Sequence, residues 1–244
     1  MPDSRNLPES NSLERIIPDE MNELETTGGE TLKLHMQRYE FAKGNLVHGT
    51  VLDLACGVGY GTALLASSPL VDKATGVDIS SDAVEYATKH YRSEHVVFLC
   101  SSALEFRPAN VFDNVVSLET IEHVDDPCAL FAHLVSLVRP GGRLITSVPV
   151  TPSMDANPHH KSNFTVRGFL QLGDAFSLRR TQSLSQTQPY RLSAIVMRRE
   201  RRTQNLRKSI PLFYLRHPSH FLLRMWSVLR DGFANKYLTV VWEK

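Results

Sequence analysis

A glycine-rich turn directly after an apolar run contains the first residues that could do chemistry. The run at 51–54 contains one acid, Asp53, and glycines follow at positions 57, 59 and 61. Glycine N–H groups at the start of a helix usually bind a pyrophosphate, but the third glycine of that pattern falls on Thr62. A carboxylate inside the strand would repel a pyrophosphate. It favours a ligand that carries an ammonium group.

A second acid has the spacing of a ribose-binding residue. Asp78 ends the next apolar segment, 21 residues after Gly57. A carboxylate in that position can accept hydrogen bonds from both hydroxyls of a ribose. Ser80, Ser81 and Asp82 follow it and are sufficient to cap a helix, so Asp78 is available for a ligand.

Two histidines lie where later strands are expected to end. His123 follows the segment 111–119, and His160 lies in the segment NPHHKSNF, after 143–150. Carboxyl ends of parallel strands meet at one edge of a sheet, where such sheets bind ligands. Histidine has a pKa near neutral and is the natural base for removing the proton of an alcohol. Either histidine could be that base, and His123 could instead orient the loop or the ligand.

Strand and helix patterns alternate at short spacing, which predicts βαβ units and a doubly wound parallel sheet with helices on both faces. We expect a helix at 30–43, a helix from Tyr60, a helix opened by Asp82 and Glu85, and a helix at 127–138 ended by the segment 139–142. A further helix is expected at 165–176. The expected strands are 50–56, 74–80, 95–100, 111–119, 143–150, 177–186 and 237–244, and 190–196 also has a strand pattern.

Charge divides the chain into an acidic start, a neutral middle and a basic stretch near the end. Residues 1–30 contain eight acids and two bases, and residues 190–230 contain ten Lys or Arg and one acid. We interpret 1–45 as an N-terminal helical arm or lid, with mobile residues at 1–29. The main domain is expected at 46–244, with a basic, partly helical insertion at about 185–235.

Four segments together resemble the class I S-adenosylmethionine-dependent methyltransferases that modify small molecules or glycans. They are VLDLACGVGYG from Val51, GVDIS around Asp78, Ser101-Ser102-Ala103, and SLETIEHV from Ser117. The resemblance covers about residues 30–180. It implies a Rossmann-like seven-stranded sheet and S-adenosylmethionine as methyl donor, with S-adenosylhomocysteine as product. This donor carries an ammonium group and a ribose but no phosphate, which accounts for Asp53.

The resemblance also implies which residues contact the cofactor. Ser102 stands where the family often has an acid beside adenine, so a hydroxyl or backbone contact would replace a charged one. Arg38 and Tyr39 could close over the methionyl carboxylate, or could belong to an exposed helix face. The expected cofactor-binding residues are Arg38, Tyr39, Asp53, Ala55, Gly57, Gly59, Asp78, Ile79, Ser102, Ala103 and Glu119.

The predicted reaction is O-methylation of a hydroxyl on a sugar, a glycan precursor or a natural product. N-methylation of an amino sugar or small amine is the nearest alternative, and a catalytically silent S-adenosylmethionine-binding module is another. No metal is required by the reaction, and the spacing reveals no metal-ligand cluster. The segment NPHH follows the fifth expected strand, whereas the NPPY signature of DNA-modifying enzymes follows the fourth. We therefore expect no nucleic-acid partner.

The remaining sequence features concern the cellular compartment of the protein and its contact with membranes. No signal peptide and no apolar run of about 18 residues is visible, and three cysteines without paired spacing (Cys56, Cys100, Cys128) suit a reducing cytoplasm. Near the end, Leu222, Leu223, Trp226 and Leu229 recur at helical spacing beside Arg224 and Arg230. This helix could lie on a membrane surface through 190–235, or could pack as a lid or dimer helix. The oligomeric state stays open.

Overall fold

Helices and strands alternate along the chain in the order that the apolar pattern predicts. The computed structural model describes residues 17–18, 26–189 and 206–244. The strands are β1 (Gly49–Leu54), β2 (Val71–Asp78), β3 (Val96–Cys100), β4 (Phe112–Leu118), β5 (Val138–Pro149), β6 (Arg179–Pro189) and β7 (Ala234–Glu243). The helices are α1 (Thr26–Lys43), α2 (Tyr60–Ala66), α3 (Ser81–Tyr91), α4 (Pro127–Leu137), α5 (Val166–Ala175), α6 (Ile210–Arg216) and α7 (Pro218–Asp231), with a 3-10 turn at Ile121–His123.

The seven strands form one sheet in the order β3-β2-β1-β4-β5-β7-β6. Strands β1 to β5 pair in parallel, and β7 runs antiparallel to both β5 and β6. The predicted doubly wound, seven-stranded sheet is therefore confirmed. Because β1 lies next to β4, the strand order reverses between these two strands, and a crevice opens at their carboxyl ends.

Neighbouring residues of each central strand pack into different halves of the core. In β1, Leu52 packs with Phe131 of α4 on one face, and Val51 packs with Leu65 of α2 on the other. In β7, Trp242 joins the first cluster and Val241 joins the second. Both faces of the sheet are thus covered, as the nearly continuous apolar runs of buried parallel strands require.

Helix α1 is a part of the packed structure from Thr26 onward. It begins four residues earlier than predicted, because Gly28 and Gly29 are inside the helix and do not terminate it. Tyr39 and Ala42 are buried in the same cluster as Leu65. The predicted mobile residues at 1–29 lie mostly outside the described part of the chain.

Gly61 lets α2 approach α1 closely, and replacing it should be costly. A Cβ at position 61 would lie 2.0 Å from the ring of Tyr39, and the ring is rigid and buried. We expect Gly61→Ala to lower the free energy of unfolding by about 2 kcal/mol, as overpacked cores typically do. Urea unfolding monitored by circular dichroism measures this.

The same substitution in α1 is the matched control. A Cβ at Gly29 would meet nothing within 4 Å, so Gly29→Ala should be neutral or stabilise the helix by about 0.5 kcal/mol. Equal effects of the two substitutions would contradict a steric role for Gly61.

Two predicted boundaries are wrong for local reasons. Helix α3 is not capped by the Asp82–Glu85 pattern: the side chain of Ser80 accepts the hydrogen bond from the Ala83 N–H. The segment 139–142 does not separate α4 from the next strand, since β5 already begins at Val138 and bends at Gly141, whose φ is +72°. The proline and glycines of this segment therefore lie inside β5 and make its first residues irregular.

The insertion is shorter than predicted at both ends. Strand β6 continues to Pro189 and β7 begins at Ala234, so the insertion occupies 190–233. The strand pattern predicted at 190–196 lies outside the described residues. Within the described ranges, none of the helices is long and apolar enough to cross a bilayer.

Candidate active site

Two strained residues mark the edge of the sheet where the strand order reverses. Ala55 follows β1 with φ +69°, and Glu119 follows β4 with φ +53°. A residue with a Cβ in this left-handed region costs roughly 1 kcal/mol. Such strain concentrates where function needs a sharp change of chain direction. Both residues were predicted at the cofactor site.

The glycine turn after β1 presents backbone to an open space. Gly57 has φ +56°, and a Cβ placed there would meet nothing within 4 Å. Gly59 has φ +87° and is closed in, since a Cβ there would meet Ala87 and Phe98 at 2.6–2.9 Å. Gly57 thus faces the crevice, whereas the absence of a side chain at Gly59 lets the turn pack closely against Ala87 and Phe98.

Asp78 connects this turn to the end of β2. Its Oδ2 accepts the Gly57 N–H at 2.8 Å, and its Oδ1 accepts the Ser80 N–H at 3.0 Å. Each carboxylate oxygen has a further lone pair for another donor. The next residue, Ile79, has 74% of its surface exposed. Its apolar side chain therefore lies beside the carboxylate and is largely uncovered.

Asp53 lies beneath the turn, where it is completely buried. It accepts hydrogen bonds from the Thr62 hydroxyl at 2.6 Å and from the Tyr39 hydroxyl at 3.2 Å. Burial raises the pKa of Asp53 to about 7, although both hydrogen bonds act to lower it. A direct contact between Asp53 and a ligand's ammonium group stays a prediction.

Arg38 and Tyr39 are buried, so their assignment to an exposed helix face is wrong. Arg38 donates to the Gln186 side chain at 3.1 Å, and its guanidinium lies 4.8 Å from the centre of the Tyr237 ring. Its Nε is buried and has no hydrogen-bond partner in the described part of the chain. One donor of this cation is thus available to an anionic group.

The other predicted cofactor residues lie at the ends of β3 and β4. The carbonyl of Ser102 accepts the Glu105 and Phe106 N–H groups, which forms a turn after β3, and Ala103 packs against the core. Glu119 accepts a hydrogen bond from the Ser147 hydroxyl at 2.8 Å. Ser147 belongs to the neighbouring strand β5 and fixes the direction of this carboxylate.

The two candidate histidines come together at the same edge of the sheet. The rings of His123 and His160 are 4.6 Å apart between centroids and nearly perpendicular, at 83°. His123 ends the 3-10 turn after β4, and His160 belongs to the loop after β5. The Nδ1 of His160 lies 2.6 Å from the Ser153 hydroxyl. The side chain of Glu122 completes the group, 3.9 Å from His123 Nε2.

Backbone hydrogen bonds hold the His160 loop against the 3-10 turn. The N–H groups of Lys161 and Ser162 both donate to the Glu122 carbonyl, at 2.8 and 3.2 Å. Lys161 also forms an ion pair with Asp125 at 2.7 Å. The proximity of the histidines is therefore determined by backbone contacts.

The insertion docks on this same loop through a buried ion pair. Arg224 of α7 donates to both carboxylate oxygens of Asp155, at 2.6 and 2.7 Å, and to the Pro152 carbonyl. The Tyr214 hydroxyl of α6 donates to Asp155 as well. Burial alone would raise the pKa of Asp155, but the hydrogen bonds and charge of Arg224 outweigh it and hold that pKa below its usual value.

Removing Asp155 should loosen the insertion. We expect Asp155→Ala to cost about 2 kcal/mol, because the charged hydrogen bonds of the partly buried Arg224 are lost. Amide hydrogen exchange should become faster in α6 and α7 and stay unchanged in β1 and β4. Because the folded pKa is lowered, the same loosening should occur in the wild type only at a pH below the ordinary titration range of an aspartate.

A double variant is the control for this prediction. Adding Arg224→Met to Asp155→Ala should recover part of the lost stability, since the uncompensated charge is then gone. Asp72→Ala removes an exposed acid and should leave exchange in α6 and α7 unchanged. Purely additive effects of the two substitutions at 155 and 224 would contradict the ion-pair account.

A cleft of about 880 Å³ lies elsewhere, between α5 and the start and end of β7. Its lining includes Arg167, Asp174, Arg230, Lys236 and Trp242. None of the predicted cofactor-binding or catalytic residues belongs to it. The candidate site is instead the crevice at the ends of β1, β4 and β5.

Three residues of the site carry roles that the sequence did not assign. Thr62 stands where a third glycine was sought, and its hydroxyl binds Asp53. Glu122 directly precedes His123 in the sequence, and its carboxylate is buried in the histidine group. Ser153 bonds to His160, a contact within the loop that spacing alone does not predict.

Comparison with known proteins agrees with this arrangement. A family model described as a methyltransferase domain matches residues 52–146. Phosphoethanolamine N-methyltransferase 3 of Arabidopsis thaliana is 34% identical over 142 residues, which are 53% of this chain and 27% of that protein. Ubiquinone biosynthesis O-methyltransferase of Aromatoleum aromaticum is 37% identical over 101 residues, which are 40% of this chain and 42% of that protein. The chain spans less than half the length of these relatives.

Solved structures share the fold at low sequence identity. The YcgJ protein of Bacillus subtilis has a TM-score of 0.63 and 18% identity, over 86% of this chain and 99% of that one. The N-methyltransferase NodS of Bradyrhizobium japonicum, solved with S-adenosylhomocysteine, has a TM-score of 0.57 and 14% identity, over 86% and 85% of the two chains.

The sheet order and these structural matches define the Rossmann-like fold of the class I methyltransferases. The region 52–146, with the glycine turn, Asp78 and Glu119, is a methyltransferase domain. The match to the methyltransferase domain and the fold of the chain agree with the class I methyltransferase resemblance that the sequence carries.

Proposed function

We propose that this protein transfers the methyl group of S-adenosylmethionine to a hydroxyl group of a small-molecule acceptor. The acceptors we infer are sugars, glycan precursors and natural products. The observation that supports the donor most strongly is the open space above Gly57 next to the Asp78 carboxylate. S-adenosylmethionine supplies an activated methyl group, and the remaining task of the protein is to align it with an acceptor.

The residues around the turn fit the parts of this donor. Asp78 has lone pairs for the ribose hydroxyls, and the exposed Ile79 offers an apolar surface to the adenine ring. Arg38 keeps a buried Nε–H for the methionyl carboxylate. The negative charge of Asp53, beneath the turn, favours the cationic ammonium and sulfonium groups.

The histidine pair supports an alcohol as the acceptor. An alcohol must lose its proton when it attacks the methyl group, and a neutral imidazole can accept that proton. His123 lies in the turn after β4 and His160 in the loop after β5, and their rings are in contact. We infer that the acceptor enters over these two rings and attacks in line with the methyl–sulfur bond.

N-methylation is the second candidate reaction, because some of the similar proteins are N-methyltransferases. Phosphoethanolamine N-methyltransferases are among the similar proteins. An amine attacks as the free base, so the histidines would then only orient it. A silent S-adenosylmethionine-binding module is the third candidate, since the cofactor residues alone do not demonstrate turnover.

Two measurements test these proposals together. Isothermal titration with S-adenosylmethionine and S-adenosylhomocysteine tests donor binding. Incubation with donor carbon-13-labelled at its methyl group and a panel of sugars, lipid-linked sugars, phenols and amines, read by NMR, tests the acceptor. An O-methyl product supports the proposal, an N-methyl product supports the second candidate, and binding without product from the panel supports the silent module. Absence of binding overturns all three.

Helix α7 is amphipathic with its apolar face outward. Leu222, Trp226 and Leu229 are 67%, 65% and 76% exposed, whereas Arg224 and Ser227 point inward. Exposed apolar residues continue into the neighbouring segments at Leu215 and Phe233. The most exposed apolar residues of this helix therefore do not pack on the core in the described structure.

We infer that this outward face binds an anionic membrane surface. Such a surface accepts apolar side chains between its headgroups and attracts basic residues. The stretch 190–230 contains ten Lys or Arg and one acid, so its charge complements anionic lipid. Since α7 also docks on the His160 loop, membrane contact would present the active site to a lipid-linked acceptor. A second copy of the chain is the competing occupant of the same face.

Vesicle co-sedimentation distinguishes these occupants. At low salt, the protein should sediment with vesicles containing phosphatidylglycerol but not with pure phosphatidylcholine, and Leu222→Glu/Trp226→Glu should stay in solution. Leu70→Glu, which changes an exposed leucine between α2 and β2, is the matched control. Sedimentation with neither vesicle overturns the inference, and a dimer that the double variant dissociates assigns the face to a second copy.

A further inference from the structure

Glu122, His123 and His160 form a cluster of metal-binding type next to the reversal point of the sheet. Each offers one ligand atom, and these atoms lie within 4.8 Å of one another. The sequence indicated no such cluster because His160 lies 37 residues beyond His123. The cluster therefore combines two imidazole rings with one carboxylate.

We propose that this cluster binds one first-row divalent cation of the Mn²⁺, Fe²⁺, Co²⁺ or Zn²⁺ type. Two imidazole nitrogens and one carboxylate oxygen are a ligand set that these ions favour. Mg²⁺ prefers a set made of oxygen atoms. Ligands about 2.1 Å from an ion lie at most about 4.2 Å apart, so small side-chain rotations that bring the widest pair below this limit complete the site.

The surroundings prepare His160 and Glu122 for this role. The Ser153 hydroxyl lies 2.6 Å from His160 Nδ1 and fixes the orientation of the ring. Outer hydrogen bonds of this kind orient metal-ligating histidines in general. The backbone bonds from Lys161 and Ser162 to the Glu122 carbonyl hold the two ligand-bearing segments together.

The arrangement leaves room for another molecule. Glu122 is fully buried, but 26% of the His123 side chain is exposed. Three protein ligands on one side of an ion leave further coordination positions, as in catalytic metal sites. This inference departs from the sequence-based expectation that no metal is involved.

The consequence for the reaction rests on the proposed function. A cation beside the acceptor lowers the pKa of a nearby hydroxyl group. The hydroxyl proton then leaves to water, the oxygen's electron pair forms the new bond to the methyl carbon, and the methyl–sulfur bond breaks with its pair on sulfur. The products are the methyl ether, S-adenosylhomocysteine and the released proton. Under this scheme the two imidazoles hold the cation.

The test is a titration of EDTA-treated, desalted protein with Co²⁺, read by visible absorption and calorimetry. We expect one equivalent to bind with a Kd in the micromolar range or below. His160→Gln and Glu122→Gln should each weaken binding by more than about tenfold. His159→Gln changes the exposed neighbouring histidine and is the matched control. Circular dichroism and an unchanged affinity for S-adenosylhomocysteine verify that each variant is folded.

The outcomes separate this proposal from the proposed function. No saturable Co²⁺ binding, or equal binding by wild type and His160→Gln, overturns the metal site. If methyl transfer also continues unchanged in EDTA, the proposed function stands without the metal. If Co²⁺ binds at this cluster but S-adenosylhomocysteine does not bind the protein, the site is supported and the proposed function fails.

Discussion

Asp78→Ala should lower the affinity for S-adenosylhomocysteine by at least about 100-fold. The substitution removes the carboxylate that we propose accepts both ribose hydroxyls, and it releases the Gly57 N–H, which Asp78 holds at 2.8 Å. Two hydrogen bonds to a charged group contribute about 3 kcal/mol or more together, and 1.4 kcal/mol corresponds to a factor of ten. Isothermal titration at constant ionic strength measures the change.

Asp82→Ala is the matched control for this prediction. It removes one negative charge from an exposed position in the first turn of α3, four residues from Asp78, and should change the affinity less than about threefold. Asp78→Asn should retain part of the binding, because its amide oxygen can still accept one hydrogen bond. Similar losses in Asp78→Ala and Asp82→Ala would point to a general charge effect and contradict ribose recognition by Asp78.

The buried carboxyl of Asp53 should make the stability of the ligand-free protein fall as the pH rises. Burial raises its pKa to about 7 in the folded protein, and the unfolded chain has a value near 3.9. Between these values the folded state holds one more proton than the unfolded state, so each pH unit costs about 1.4 kcal/mol. Between pH 5 and pH 8 the expected loss from this group is about 3 kcal/mol. Urea unfolding at both pH values measures it.

Asp53→Asn isolates the contribution of this carboxyl. Asparagine cannot ionise but can accept hydrogen bonds from Tyr39 and Thr62, so the variant should lose the pH-dependent difference and fold. Asp82→Asn, at the exposed site, should keep the wild-type dependence. Parallel pH profiles for wild type and Asp53→Asn would show that Asp53 is not the titrating group.

Binding of S-adenosylmethionine should lower the pKa of Asp53, whereas burial raises it. The positive charges of S-adenosylmethionine favour the ionised form of Asp53, so binding should release a proton near pH 6. Titrations in two buffers of different ionisation enthalpy report that proton. This coupling should be absent in Asp53→Asn.

The parts of the fold that depend on local pattern could be predicted from the sequence. Strand β1 is an apolar run that ends in glycine, and Asp78 ends the next strand at the spacing of a ribose-binding residue. Boundaries failed where two local signals competed. Ser80 caps α3 although Asp82 and Glu85 match a capping pattern, and Gly28 and Gly29 stay helical because α1 packs on the sheet.

Contacts between distant segments could not be predicted in this way. Asp155 and Arg224 are 69 residues apart, and nothing in their spacing indicates an ion pair. The outward apolar stripe of α7 has the period of an ordinary packed helix, so periodicity alone gives the wrong face. Only the contacts of Arg224 and Ser227 reveal which side points inward.

The pairing at the open end of β6 and β7 has a consequence for how such proteins diversify. Pro189 lies directly opposite Ala234 in the antiparallel ladder, so the chain leaves and re-enters the sheet at adjacent points. A hairpin with neighbouring ends tolerates connections of very different length, since closing a longer loop adds little entropic cost. The insertion between β6 and β7 can therefore be lengthened, shortened or exchanged without moving the glycine turn after β1. The connection at this hairpin can therefore change in evolution independently of the glycine turn after β1.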